Sequence, residues 1–119
     1  IFTGNGPLTL NRSAVLGNSV SGDNAKGAGI VSSGGIEATR SSIYGNTAAG
    51  MNARGGGILD RYGDVVLAYT SVVGNRALGA GATGGGIFRD DGSVTLVGSL
   101  VLLNVPNNCG SPSTVADCR

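Results

Sequence analysis

Three glycine-rich blocks, each followed by isoleucine, recur along this chain: Gly27-Ala28-Gly29-Ile30, Gly55-Gly56-Gly57-Ile58 and Gly84-Gly85-Gly86-Ile87. The block isoleucines stand 28 or 29 residues apart, and Ile1 falls in phase with them. A second marker keeps the same period: Val15-x-x-Asn18, Ile43-x-x-Asn46, Val72-x-x-Asn75 and Val101-x-x-Asn104. Each of the first three asparagines is followed by a block isoleucine twelve residues later, so the one-residue slip is confined to a turn between Ile30 and Ile36. Units repeated at such a period cannot bury an apolar face alone; they stack on their neighbours and share a continuous core.

Aligned on these markers, the repeats show the two-residue alternation of half-buried strands. Leu8, Ile36, Val65 and Val94 form one inward column, and Leu10, Ala38, Leu67 and Leu96 the next. Val15, Ile43, Val72 and Val101 form a third, and Ile1, Ile30, Ile58 and Ile87 a fourth. Residues between them, such as Thr9, Glu37, Val66 and Thr95, are mostly polar or small and point outward. The pattern predicts a right-handed parallel β-helix, all-β, of about four coils with three short strands each. Residues 1–104 make the coils, and residues 105–119 a disulfide-closed C-terminal loop or cap. Asn18, Asn46, Asn75 and Asn104 are expected to form an amide ladder running coil to coil, because Asn suits turns and identical stacked amides bond one another. Ser13, Ser41, Thr70 and Ser99 form a parallel hydroxyl column.

Composition removes many alternatives. The 23 glycines are too many for a helical bundle and do not fall in every third position, which excludes collagen. A net charge of +1, spread along the chain, argues against a nucleic-acid partner. The longest apolar run, Leu100 to Leu103, is too short to span a membrane. The sequence contains no His, so serine-hydrolase triads and His-ligated metals have no residues to use. Two cysteines, Cys109 and Cys118, are too few for a zinc or iron–sulfur centre; a local disulfide is expected, and with it an oxidising compartment. With neither an initiator Met nor a signal segment, the chain reads as a processed piece of an exported protein, extracellular or on a bacterial cell surface.

The G-[GA]-G-I blocks and the S-x-[VI]-x-G-N segments resemble those of bacterial right-handed parallel β-helix repeat proteins, whose fold is pectate-lyase-like. The pairing of [VI]-x-x-N with G-G-G-I is also similar to the short repeats of polymorphic outer membrane proteins. The resemblance covers residues 1 to about 108 and implies an architecture and an exported or surface-displayed setting. It implies no single activity, since such solenoids serve as polysaccharide lyases and hydrolases, adhesins and passenger domains.

Two places are candidates for function. One is the corner after the block isoleucine, where Asp60, Arg61 and Asp64 lie on one coil and Arg89, Asp90 and Asp91 on the next. Asp60 stacks on Arg89 and Arg61 on Asp90, and Glu37 stands apart. Paired carboxylates there would suit acid/base work on a glycosidic bond, or calcium as a cofactor; the bland alternative is a solvated corner with weak ion pairs. The other candidate is a pair of outward columns that are unexpectedly apolar: Phe2, Val31, Leu59 and Phe88, and Leu16, Tyr44, Val73 and Leu102. These form either an exposed interface or a surface covered by turns or by more of a parent protein.

The ends of the chain bear on partners. The start in mid-coil and the matching phase at the C-terminus suggest a piece of a longer β-helix, or copies that continue one another head to tail. Two functions follow from all of this. The first is a non-catalytic surface module, structural, adhesive or self-assembling into filaments. The second is a carbohydrate-active fragment that binds or cleaves polysaccharide through Asp60 and Asp90.

Overall fold

The computed structural model describes residues 1–110 and Cys118, all-β with no helix among them. The chain winds as a parallel β-solenoid of about three turns. Every strand pairing is parallel and joins one coil to the next.

The first three coils each contribute to four sheets rather than the three expected, and the last to three. The first holds β1 (Leu8–Asn11), β5 (Ile36–Thr39), β9 (Val65–Ala68) and β13 (Val94–Val97). The second holds β2 (Ala14–Leu16), β6 (Ser42–Tyr44), β10 (Ser71–Val73) and β14 (Leu100–Leu102). A third, absent from the sequence expectation, joins β3 (Ser19–Ser21), β7 (Thr47–Ala49) and β11 (Arg76–Leu78). The fourth holds β4 (Ile30–Ser32), β8 (Ile58–Asp60), β12 (Ile87–Arg89) and β15 (Cys109–Gly110).

Registers follow the repeat: Leu8 pairs with Ile36, Ile36 with Val65 and Val65 with Val94. The inward isoleucines, valines and leucines of three sheets meet in one core, with Ile30, Ile43, Ile58, Val65, Leu67 and Val72 wholly buried. Burying such a side chain stabilises by ~1.5–3 kcal/mol, so the stacked columns are the main source of stability. The third sheet packs on a separate small core of alanines, Ala25, Ala48, Ala53 and Ala77.

The asparagine column is a continuous buried ladder. Asn46 Nδ2 donates to Asn75 Oδ1 (2.9 Å) and to the Val15 carbonyl (2.9 Å). Asn75 Nδ2 donates to Asn104 Oδ1 (3.0 Å) and to the Ile43 carbonyl (2.9 Å). The backbone N–H of each asparagine donates to the amide oxygen of the next. These bonds leave the buried amides satisfied, which a dry interior requires. The hydroxyl column is joined likewise, the Ser41 N–H donating to Thr70 Oγ1 and the Thr70 N–H to Ser99 Oγ.

The last glycine of each block lies against this ladder. A Cβ on Gly57 would stand 2.6 Å from the Gly86 carbonyl oxygen and 3.0 Å from the Asn75 amide. Gly29 and Gly86 are placed the same way against Asn46 and Asn104. The two sequence markers are therefore two sides of one contact.

The solenoid does not stop at Asn104. Val105 bridges to Arg76, and Cys109 takes the column of the block isoleucines by pairing with Ile87. The chain reaches that column five residues after Asn104 instead of twelve, omitting the rest of the alanine-lined side. Cys109 and Cys118 are paired, their Cα atoms 5.8 Å apart, and Cys118 is buried in the main core. The rest of the expected terminal loop, residues 111–117 and 119, lies outside the described residues. Among the described residues no helix is long and apolar enough to cross a membrane.

Candidate functional site

The charged corner lies where the fourth sheet turns into the first. Its strands bring Ser32, Asp60 and Arg89 into register, as the column alignment places them. The expected ion pairs are absent: neither Asp60–Arg89 nor Arg61–Asp90 comes within bonding distance. Asp90 instead meets Arg54 at 3.9 Å, both side chains half-exposed, and the Arg54 guanidinium lies over the Phe88 ring, 5.1 Å from its centre. Arg89 turns back on its own loop and donates to the Gly92 carbonyl.

Asp60 is fully buried, and neither of its oxygens makes a hydrogen bond of ordinary geometry. Burial pushes its carboxyl above the usual range, and the nearby Asp64 adds to that. The N–H groups of Gly63, Gly35 and Arg61 offset part of the cost. Asp64 behaves oppositely. It is exposed, and its Oδ1 accepts the Ser93 hydroxyl and the Ser93 N–H, both at 2.8 Å, which hold its carboxyl below the usual range. Asp91 accepts from the Gly92 N–H at 2.8 Å. Glu37, set apart by the sequence, comes to the same place as Asp64. The two carboxylates line an open depression of about 230 Å³ with Pro7, Gly34, Gly35 and Val66.

A glycosidic bond needs a carboxylic acid with a raised pKa beside a second carboxylate, both reachable by the sugar. Here the raised carboxyl of Asp60 is sealed inside, and Asp64, which a sugar could reach, is pushed down. The depression is also smaller than the ~300–1,000 Å³ typical of small-molecule sites. Among the described residues no three Asp, Glu, Cys or His side chains converge as metal ligands would.

The apolar columns divide. Phe2 is exposed, but Val31, Leu59 and Phe88 are buried and form a third small core, so they are no open interface. The cover is the chain just before each block isoleucine, where Lys26, Arg54 and Thr83 form a ladder of bridges. Gly27, Gly55 and Gly84 turn it with positive φ near +60° (58°, 64° and 63°). A Cβ at Gly55 would lie 2.9 Å from the Leu59 Cβ, and one at Gly84 2.8 Å from the Phe88 Cβ. Only glycine lets the backbone fold over the column this closely.

The second column stays open. Leu16 and Tyr44 are exposed, and Val73 and Leu102 half-buried, on the outer face of the second sheet. Further exposed apolar side chains lie on three sides of the last coil, Val97 on the first sheet, Leu100 on the second and Val105 beside the third. In the last coil Val97, Leu100, Leu103 and Val105 all stand exposed, where the preceding coil has Ala68, Ser71, Gly74 and Arg76. Leu103 keeps the left-handed backbone of its counterparts Gly17, Gly45 and Gly74 (φ 56° against 63°, 66° and 65°). Holding a leucine there costs about 1–2 kcal/mol. Tyr69 lies across Gly98 and Tyr44 across Gly74, so both rings lean toward the same end.

No protein-family model, curated protein or solved structure matches this chain.

Proposed function

We propose that this chain is a non-catalytic β-solenoid module of the extracellular space or a bacterial cell surface, structural or adhesive in role. One observation carries the reading: each carboxylate of the charged corner already has a structural duty. Asp60 is sealed inside, Asp64 holds Ser93, Asp90 pairs with Arg54 and Asp91 caps its own turn. The corner carboxyl with a raised pKa is the one sealed inside. The cysteine pair supports an oxidising setting. The polysaccharide-cleaving alternative gains no support from the corner's geometry.

Incubation with a panel of acidic and neutral polysaccharides, with and without calcium, tests the proposal. We expect no new reducing ends and no unsaturated products. Cleavage that disappears in Asp64→Asn or Glu37→Gln would overturn it.

A further inference from the structure

We infer that the edge of the first coil seats a further β-solenoid coil carrying the same [VI]-x-x-N segment, and excludes the end of a second copy; this rests on the reading of the chain as a structural module. The asparagine ladder has a direction. In each coil the backbone N–H and the Nδ2 group of the ladder asparagine donate as a fork to one oxygen, the Oδ1 of the asparagine in the next coil. Asn18 forks to Asn46 (2.9 and 3.0 Å), Asn46 to Asn75 (both 2.9 Å) and Asn75 to Asn104 (2.9 and 3.0 Å). The Nδ2 group also donates backward, to the carbonyl three residues before the previous asparagine: Asn46 to Val15, Asn75 to Ile43 and Asn104 to Val72. The hydroxyl column keeps the same direction, with the N–H of Ser13, Ser41 and Thr70 each donating to the hydroxyl of the next coil.

The two ends of the ladder therefore differ. At the last coil the fork of Asn104 is filled within the chain: both groups donate to Asn108 Oδ1 (3.1 and 3.0 Å), which stands in for the asparagine of a next coil. Val105 bridges to Arg76 and Cys109 pairs with Ile87, so residues 105–110 also occupy the last edge of the third and fourth sheets. The first coil is open by comparison. Strands β1, β2 and β3 each have a neighbour on one side only. Among the described residues no N–H donates to Asn18 Oδ1 or to Ser13 Oγ. Those two acceptors and the backward reach of Asn18 Nδ2 define the occupant. It must present an asparagine fork, with a carbonyl three residues before it, on strands parallel to these. That is the [VI]-x-x-N segment of the repeat itself. A second copy supplies it at neither end: its first coil spends the Asn18 N–H on Asn46, and its last spends the fork on Asn108.

The test adds the occupant to the whole chain. A copy of residues 30–57 is joined ahead of Ile1, which keeps the twelve-residue step from ladder asparagine to block isoleucine. We expect the thermal midpoint to rise by about 5 °C or more, as one further coil interface is made. The side-chain amide protons of Asn18, followed by NMR, should exchange about tenfold more slowly. Asn46→Ala in the added copy alone should remove half or more of the gain in midpoint. A midpoint and an Asn18 exchange rate that the added coil leaves unchanged would overturn the inference, as would a gain indifferent to Asn46→Ala. Sedimentation equilibrium of the unextended chain should show no end-to-end association; oligomers that Asn18→Ala dissociates would overturn the exclusion of a second copy. None of these outcomes bears on the polysaccharide assay, which tests the non-catalytic reading by itself.

Discussion

Asn75 sits in the middle of the amide ladder, and its replacement by aspartate is nearly isosteric. Asn75 Oδ1 accepts the Asn46 N–H and an Asn46 Nδ2 proton, each at 2.9 Å. Asn75→Asp keeps both contacts. It also puts an oxygen where the amide nitrogen now donates to Asn104 Oδ1 at 3.0 Å and to the Ile43 carbonyl at 2.9 Å. Ionised, the new carboxylate faces two oxygens with no proton between them. At ~1–3 kcal/mol for each buried group left unsatisfied, the loss is about 2–6 kcal/mol. That is a large part of the ~5–15 kcal/mol that holds a domain folded. At roughly 4 °C per kcal/mol, the thermal midpoint falls by about 8–24 °C. Protonation returns one donor, so the folded-state pKa of the new group lies above its unfolded value near 3.9. The variant therefore stands closest to the parent below about pH 4 and loses stability as pH rises through the folded pKa. Urea unfolding followed by circular dichroism, from about pH 3 to 8, reads this directly. Asn18→Asp is the control: that residue ends the ladder, is exposed, and donates one side-chain bond, to Asn46 Oδ1. Equal losses at the two positions, or a loss at position 75 that does not vary with pH, would refute the account of the ladder.

Gly57→Ala should cost several kcal/mol, because its methyl would meet the Gly86 carbonyl at 2.6 Å and the Asn75 amide at 3.0 Å. Gly17→Ala meets nothing within 4 Å and should cost only the ~1–2 kcal/mol of its left-handed backbone; thermal melts of the two rank them. For Asp60 the folded pKa is raised, so its contribution is full below the unfolded value and is lost as pH rises through the folded one. Asp60→Asn should flatten that fall and raise the urea midpoint near neutral pH; a lower midpoint would mean that the nearby N–H groups more than offset burial. Reducing the Cys109–Cys118 pair should lower stability by ~2–3 kcal/mol, measured as the melting difference with and without a thiol reductant, with alkylation to verify opening.

The parts of the fold legible in the sequence are those where a large apolar residue recurs inward. Ile30, Ile58 and Ile87 mark one sheet, and Val15, Ile43, Val72 and Val101 another, because alternation against polar neighbours is visible in each coil. The third sheet escaped for a physical reason. Its inward residues are Val20, Ala48 and Ala77, and alanine contrasts weakly with the Ser, Thr and Ala beside it. The fixed distance between the asparagine and glycine markers did carry tertiary information, though it reads only as a period until Gly29, Gly57 and Gly86 are seen against the ladder.

Site geometry was less legible, because a column tells which way a side chain points and not what folds over it. Val31, Leu59 and Phe88 point away from the main core and are buried all the same, under a strap whose glycines look like any other turn. Asp60 stands two residues after the inward Ile58, as Ser32 does after Ile30, so strand alternation turns it inside and makes the apparent acid/base pair a sealed carboxyl. What a repeat does offer is an internal standard, since every position can be judged against its counterparts one coil away. Asp60 departs from Thr3 and Ser32, and the cost of its burial is partly met within the chain by neighbouring N–H groups. Leu103 departs from three glycines, strains its backbone and remains 74% exposed, so nothing in the described fold repays it. A departure of the first kind belongs to the architecture; one of the second kind strains the chain with no compensating contact among the described residues, as the left-handed backbones of Arg12, Arg40 and Tyr69 do where the last coil has Gly98.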